Sequence, residues 1–219
     1  RSATERCSPS SRESASQASI GDVSITAGKE VSLRAENNMD ASAVGDGSAA
    51  SNKDDATAVG IGIAVNVAFM DNSATLGSGA VIDAEGFKAE ALMKDVSGDT
   101  THKFGAIANS EASGGETGVA GSFALNYSET DTLAAIGTGA SVDAGAGNVV
   151  VGAANSTEAT VAAKAKAESG ETGAGISIGI NIAGNNATSA LVDGTLSGGD
   201  DVTISATGSH KMDTLAEGG

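Results

Sequence analysis

The 219-residue chain carries 31 glycines but only four Phe and one Tyr, with no Trp and a single Pro. A thick core built on rings that each bury ~150–250 Å² is excluded, and a thin, repetitive core of Val, Ile and Ala is expected instead. Its 28 acids against 12 Lys and Arg leave a net charge of −16, the wrong sign for a nucleic-acid binder or for docking on anionic lipid. One cysteine, Cys7, makes no intrachain disulfide, and no apolar run reaches the ~18 residues of a transmembrane helix.

Residues 1–19 stand apart. They hold the only Pro, the only Cys and three of the four Arg, amid scattered Ser. No period of 2 or 3.6 is visible, so a disordered leader, linker or cloning remnant is expected, with Cys7 incidental. These residues lack the charged, apolar and small-residue order of a signal peptide, so any export signal is expected outside this sequence.

From Ile20 onward the chain repeats. Three segments align, beginning at Thr57, Thr117 and Thr172: TAVGIGIAVNVAFMDNSATLGSGAVIDA, TGVAGSFALNYSETDTLAAIGTGASVDA and TGAGISIGINIAGNNATSALVDGTLSGG. Thr57, Asn66 and Gly79 recur 60 residues later at Thr117, Asn126 and Gly139. They recur after a further 55 at Thr172, Asn181 and Gly194. A second element, two short strands broken by a turn, recurs at 23–35, 81–91, 141–153 and 196–206. Residues 20–219 are therefore read as about three units of 55–60 residues plus the start of a fourth, part of a longer array.

Within each unit large and small residues alternate. Val59, Ile61, Ile63, Val65, Val67 and Phe69 are interleaved with Gly60, Gly62, Ala64, Asn66 and Ala68. Val119, Phe123, Leu125 and Tyr127 do the same in the second unit, and Ile176, Ile178, Ile180 and Ile182 in the third. Period 2 with β-branched residues on one face predicts strands. A helix is disfavoured, because each interior glycine costs about 1 kcal/mol there. The offsets keep Val65, Leu125 and Ile180 at one repeat position, so the large faces of successive strands are placed to stack. The small face permits close approach of another backbone. Asn66, Asn126 and Asn181 share a slot, suited either to an amide ladder or to water. The Ala/Lys/Glu stretch 157–168 has helix propensity, but its repeat position assigns it to strand or loop. The expected class is all-β, a parallel β-helix or β-solenoid, with stacked hairpin or sandwich repeats as the alternative.

Catalytic signatures are sparse. His102 and His210 lie far apart with no zinc-ligand spacing, and neither GxSxG nor a phosphate-binding glycine loop occurs. Asp83 and Asp143 recur at the repeat offset inside a turn, where a carboxylate bonds its own backbone, so they are read as structural rather than catalytic. No cofactor is expected; the acidic turns at Asp54, Asp55, Asp200 and Asp201 are calcium candidates only in the loose sense that they cluster carboxylates.

The pattern GIGIAVNVA…DNSATLGSGAVIDA, followed by GNVVVGAAN and DDVTISATG, resembles the repeat region of filamentous-haemagglutinin-like and leukotoxin-family filamentous bacterial adhesins. The resemblance covers about residues 20–210. It implies a parallel β-helix passenger at the bacterial cell surface or secreted, exported by an autotransporter or two-partner route. The expectation is a non-enzymatic stalk that projects a binding region and supports adhesion, its partners being neighbouring repeats. The alternatives are that this segment itself binds a host glycan or protein, that it is a carbohydrate-active β-helix lyase or hydrolase, or that it is a calcium-stiffened matrix protein.

Overall fold

The computed structural model describes residues 10–53 and 55–219. Sixteen strands follow one another in four tiers. The first holds β1 (Ser10–Ile20), β2 (Ser24–Ala27), β3 (Val31–Asn37), β4 (Asp40–Asp46) and β5 (Ala49–Ala50). The second holds β6 (Thr57–Leu76), β7 (Val81–Ala84), β8 (Phe87–Met93) and β9 (His102–Ser113). The third holds β10 (Thr117–Ile136), β11 (Ser141–Asp143) and β12 (Val149–Glu168). The fourth holds β13 (Thr172–Ala183), β14 (Thr188–Val192), β15 (Thr195–Ser197) and β16 (Val202–Gly218).

Equivalent strands of successive tiers pair in parallel and build three sheets. Sheet A is ordered β1-β6-β10-β13, with β14 also on β10. Sheet B, narrow, is β15-β11-β7-β2. Sheet C joins β3, β8, β12 and β16 with β4, β5 and β9. The register follows the sequence offsets: Thr57 lies beside Thr117, which lies beside Thr172, and Asn66, Asn126 and Asn181 are likewise neighbours. Residues 157–168 are strand, as the repeat position requires. The hairpin alternative is not met. Hairpins need antiparallel neighbours, and every pairing between named strands is parallel.

Sheets A and C face each other, and their separation varies. At the corner closed by sheet B, Phe87, Leu76, Ile82, Ile136, Val142, Val149 and Val151 fill a wedge of full-sized side chains. Midway, only Ala43, Ala64, Ala106, Ala108, Ala124, Val161 and Ala163 lie between the sheets. The backbones then all but touch: a Cβ on Gly62 would collide with the Asn109 carbonyl, one on Gly60 with that of Glu111, and one on Gly45 with that of Ile63.

The expected core is thereby inverted along the long strands. The small face of sheet A points inward, with Ala58, Ala64, Asn66 and Ala68 all buried. The large face points out: Ile61 is 63% exposed and Ile176 66%. Inter-sheet space decides this. Two sheets separated by side chains sit ~10 Å apart, whereas Gly and Ala at most inner positions bring the backbones closer, with Val161 the one larger apolar side chain in the mid-layer cluster.

A second correction concerns the leader. Residues 1–9, Cys7 included, lie outside the described residues, but Ser10–Ile20 is strand β1, paired with Asn66–Leu76 of β6. Its polar composition is no obstacle, because the ladder is made by backbone groups. Ala18 and Ile20 anchor it in the sheet B corner, and Ser14 Oγ donates to Asn37 Oδ1 at 3.2 Å.

Candidate functional surface

No side-chain constellation with the geometry of a catalytic centre stands out among the described residues; the chemistry lies in two rows of stacked residues and one outward face. The first row is the buried amide ladder. Asn66 Nδ2 donates to Asn126 Oδ1 at 2.7 Å, and Asn126 Nδ2 donates to Asn181 Oδ1 at 3.0 Å. Asn181 Nδ2 donates across to sheet C, to the carbonyls of Ala159 at 2.9 Å and Asp213 at 3.1 Å. The alternation places these amides on the inner face, where Asn66 and Asn126 are fully buried. A buried amide needs partners, and the next tier supplies an identical one at the strand spacing.

The ladder therefore locks tier to tier. Asn126→Leu, close in volume, takes the acceptor from Asn66 Nδ2 and the donor from Asn181 Oδ1. The expected loss is roughly 1–3 kcal/mol, chiefly the desolvation cost of the buried Asn66 amide, since Asn181 is only half-buried, read as a lower urea midpoint at unchanged slope.

The second row lies on the outer face of sheet C. Asp40, Lys103, Glu158 and Lys211 are neighbours in the register, alternating in sign across all four tiers. Lys103 Nζ lies 2.5 Å from Asp99, and Lys211 Nζ 2.6 Å from Glu158. The bond from Lys103 holds the Asp99 carboxyl below its ordinary value, and that from Lys211 does the same for Glu158. Exposed pairs contribute little stability each. Their alternation nevertheless penalises a slipped register, because like charges would then face each other across the ladder.

The face is the outward side of sheet A. Val59, Val119 and Ala174 form one row, followed by Ile61, Gly121 and Ile176; Ile63, Phe123 and Ile178; Val65, Leu125 and Ile180; and Val67, Tyr127 and Ile182. No charged residue occurs in 57–68, 117–128 or 172–183. Gly121 is a dimple between Ile61 and Ile176, with nothing within 4 Å of the place a Cβ would take. The Phe69 and Tyr127 rings meet at one end, with centroids 6.0 Å apart. The Tyr127 hydroxyl donates to Glu129, which raises its pKa.

The residues singled out from sequence are dispersed. Asp54 lies outside the described residues. Asp55 sits in an exposed turn, lining a shallow depression with Glu116 and Glu171. Asp200 and Asp201 are exposed, and their backbone N–H groups donate to the Gly147 carbonyl at 3.1 Å and to Asn148 Oδ1 at 3.2 Å. Asp83 and Asp143 are register neighbours on the outside of sheet B. Asp143 Oδ1 accepts the Gly145 N–H at 3.1 Å, a local turn bond. Among the described residues, no three His, Cys, Asp or Glu come together in a way that holds a metal ion. No helix among them is long and apolar enough to cross a membrane.

Sequence reasoning missed the exposure of the apolar face and the burial of His102, which is 0% exposed at the start of β9. One signal was available for the first. In 159–166 Ala159, Val161, Ala163 and Ala165 alternate with Thr160, Ala162, Lys164 and Lys166; the lysines must point out, so the mostly small residues of sheet C point in and call for a small partner face. Comparison of the chain with protein-family models, curated proteins and solved structures found no match.

Proposed function

We propose that the three sheets are the walls of a β-solenoid, and that the chain is a non-enzymatic structural segment of a large bacterial cell-surface or secreted adhesin. The observation that carries this reading is the parallel stacking of equivalent strands. They follow one another, tier after tier, in sheets A, B and C alike, and in sheet A the same Thr and Asn slots stay in line. Each tier contacts only its neighbours, so stability accumulates along one axis. Backbone hydrogen bonds run along that axis, and a 20-residue strand such as β10 spans about 65 Å across it. The product is a broad, stiff column rather than a thin thread, and 55–60 residues are needed for each ~4.8 Å of rise. Stiffness, with an acidic surface that keeps columns apart, is what a support for a more distal binding region requires.

The test is the whole chain coated on beads and offered to a glycan array, with EDTA in a parallel arm and acidic polysaccharides assayed for cleavage with calcium. The expected result is no saturable glycan binding and no turnover. Saturable binding overturns the support reading, its loss in EDTA points to the acidic turns, and turnover makes the chain an enzyme.

A further inference from the structure

We propose that the outward face of sheet A docks a cationic amphipathic helix, a segment with one apolar face and basic residues at both ends. This goes beyond the support role, which asks only that the tiers stack, so either reading stands if the other falls.

Three observations select this occupant. The first is shape. The rows from Val59 to Phe69 run about 33 Å along the strands, and β6, β10 and β13 together are about 14 Å wide. An α-helix of ~22 residues laid along the strands spans that length. The dimple at Gly121, walled by Ile61 and Ile176, takes one apolar side chain from the helix.

The second is area. The strip covers roughly 450 Å², the range in which an exposed apolar patch marks an interaction site.

The third is charge. The strip is neutral, but both its ends are acidic. Asp55, Glu116 and Glu171 lie at the end where the strands begin, with Lys53 in the same turn. At the other end Glu13 and Glu129 flank Phe69 in one row, and Asp71 and Asp131 are neighbours two residues further along the strands, on the same outward side. A second copy brings acid against acid in either orientation, and an anionic bilayer is repelled. A helix with Lys or Arg clusters at its two ends meets complementary charge at both, over an apolar middle.

The experiment uses a fluorescently labelled 22-residue probe, a Leu/Ala-faced amphipathic helix with Lys at both ends, titrated with the whole chain at 0.15 M salt and followed by anisotropy. The expected result is micromolar binding that tightens at lower salt. It weakens at least tenfold for Ile61→Thr/Ile176→Thr/Ile178→Thr, which keeps β-branching and every charge. A probe with Glu replacing Lys shows no binding. Equal affinity for the triple variant overturns the proposal, since attraction to the acidic surface alone then accounts for binding. So does an absence of binding, or sedimentation showing a dimer that the three Thr substitutions dissolve, which makes the occupant a second copy.

Discussion

Replacing Gly62 with Ala is expected to cost about 3 kcal/mol or more, while replacing its large neighbour Ile61 with Thr costs less than about 1 kcal/mol. In most folds the order is the reverse, because the large apolar residue is the buried one. Here a Cβ on Gly62 is driven into the Asn109 backbone of the opposing sheet. Backbone cannot swing aside as a side chain does, so the sheets must separate and the thin layer around Ala64, Ala106, Ala124 and Val161 must open. Overpacking of this kind costs 1–3 kcal/mol even where side chains absorb it. Ile61, at 63% exposed, has little burial to lose. Gly121 supplies the internal control: it lies on the outward face with open space where its Cβ would be. Gly121→Ala is therefore expected to be neutral or stabilising by about 0.5 kcal/mol, through reduced freedom of the unfolded chain. Equilibrium denaturation of the three variants checks the ranking, and a costlier Ile61→Thr than Gly62→Ala would refute the inward orientation of the small face.

That ranking also marks where sequence reading stopped. The offsets of 60 and 55 identified the neighbours correctly, because a parallel stack repeats whatever residue a slot demands: Asn66, Asn126 and Asn181 meet at the expected positions. Period 2 identified the strands, since alternation is a property of the single strand. Which face turns inward is a property of two sheets together. The small face of β6 pointed to the close approach of another backbone, but that this backbone is Asn109 and Glu111 of β9 is something no local pattern in β6 shows. Strand β1 escaped for a related reason. Its pairing with β6 is made by backbone atoms that carry no sequence signature, and its few apolar anchors, Ala18 and Ile20, fall at its end. The candidate surface divided along the same line. The asparagine slot was visible as a repeated residue. The buried histidine was not, because His102 occurs once and its partner Met39 lies 63 residues away.

Acidification is expected to destabilise the fold through that histidine. His102 Nδ1 accepts the Met39 backbone N–H at 2.8 Å, which leaves the ring proton on Nε2. The ring stacks near Phe104, with centroids 6.1 Å apart, and is wholly buried. Burial pushes its pKa down to about 4, although the carboxylates of Asp40 and Asp99 pull the other way. In the unfolded chain a histidine takes its proton near 6.5. Between those values the unfolded state binds more protons than the folded one, so stability falls as pH falls. The loss sets in below pH 6.5 and is complete near pH 4, amounting to about 3 kcal/mol at 1.36 kcal/mol per unit. Protonation also places a hydrogen on Nδ1, where the Met39 N–H already points. His102→Asn isolates the effect, because its side-chain oxygen can still accept from Met39 and it does not titrate. Exposed carboxylates away from the ring, such as Glu158, are common to both proteins and cancel in the difference. Unfolding free energies from pH 7.5 to 3.5 should show the wild type losing about 3 kcal/mol relative to His102→Asn, nearly all of it between pH 6.5 and 4. Parallel curves would mean that His102 accepts its second proton in place, and that the layer between sheets A and C is open enough at β9 for water to reach the ring.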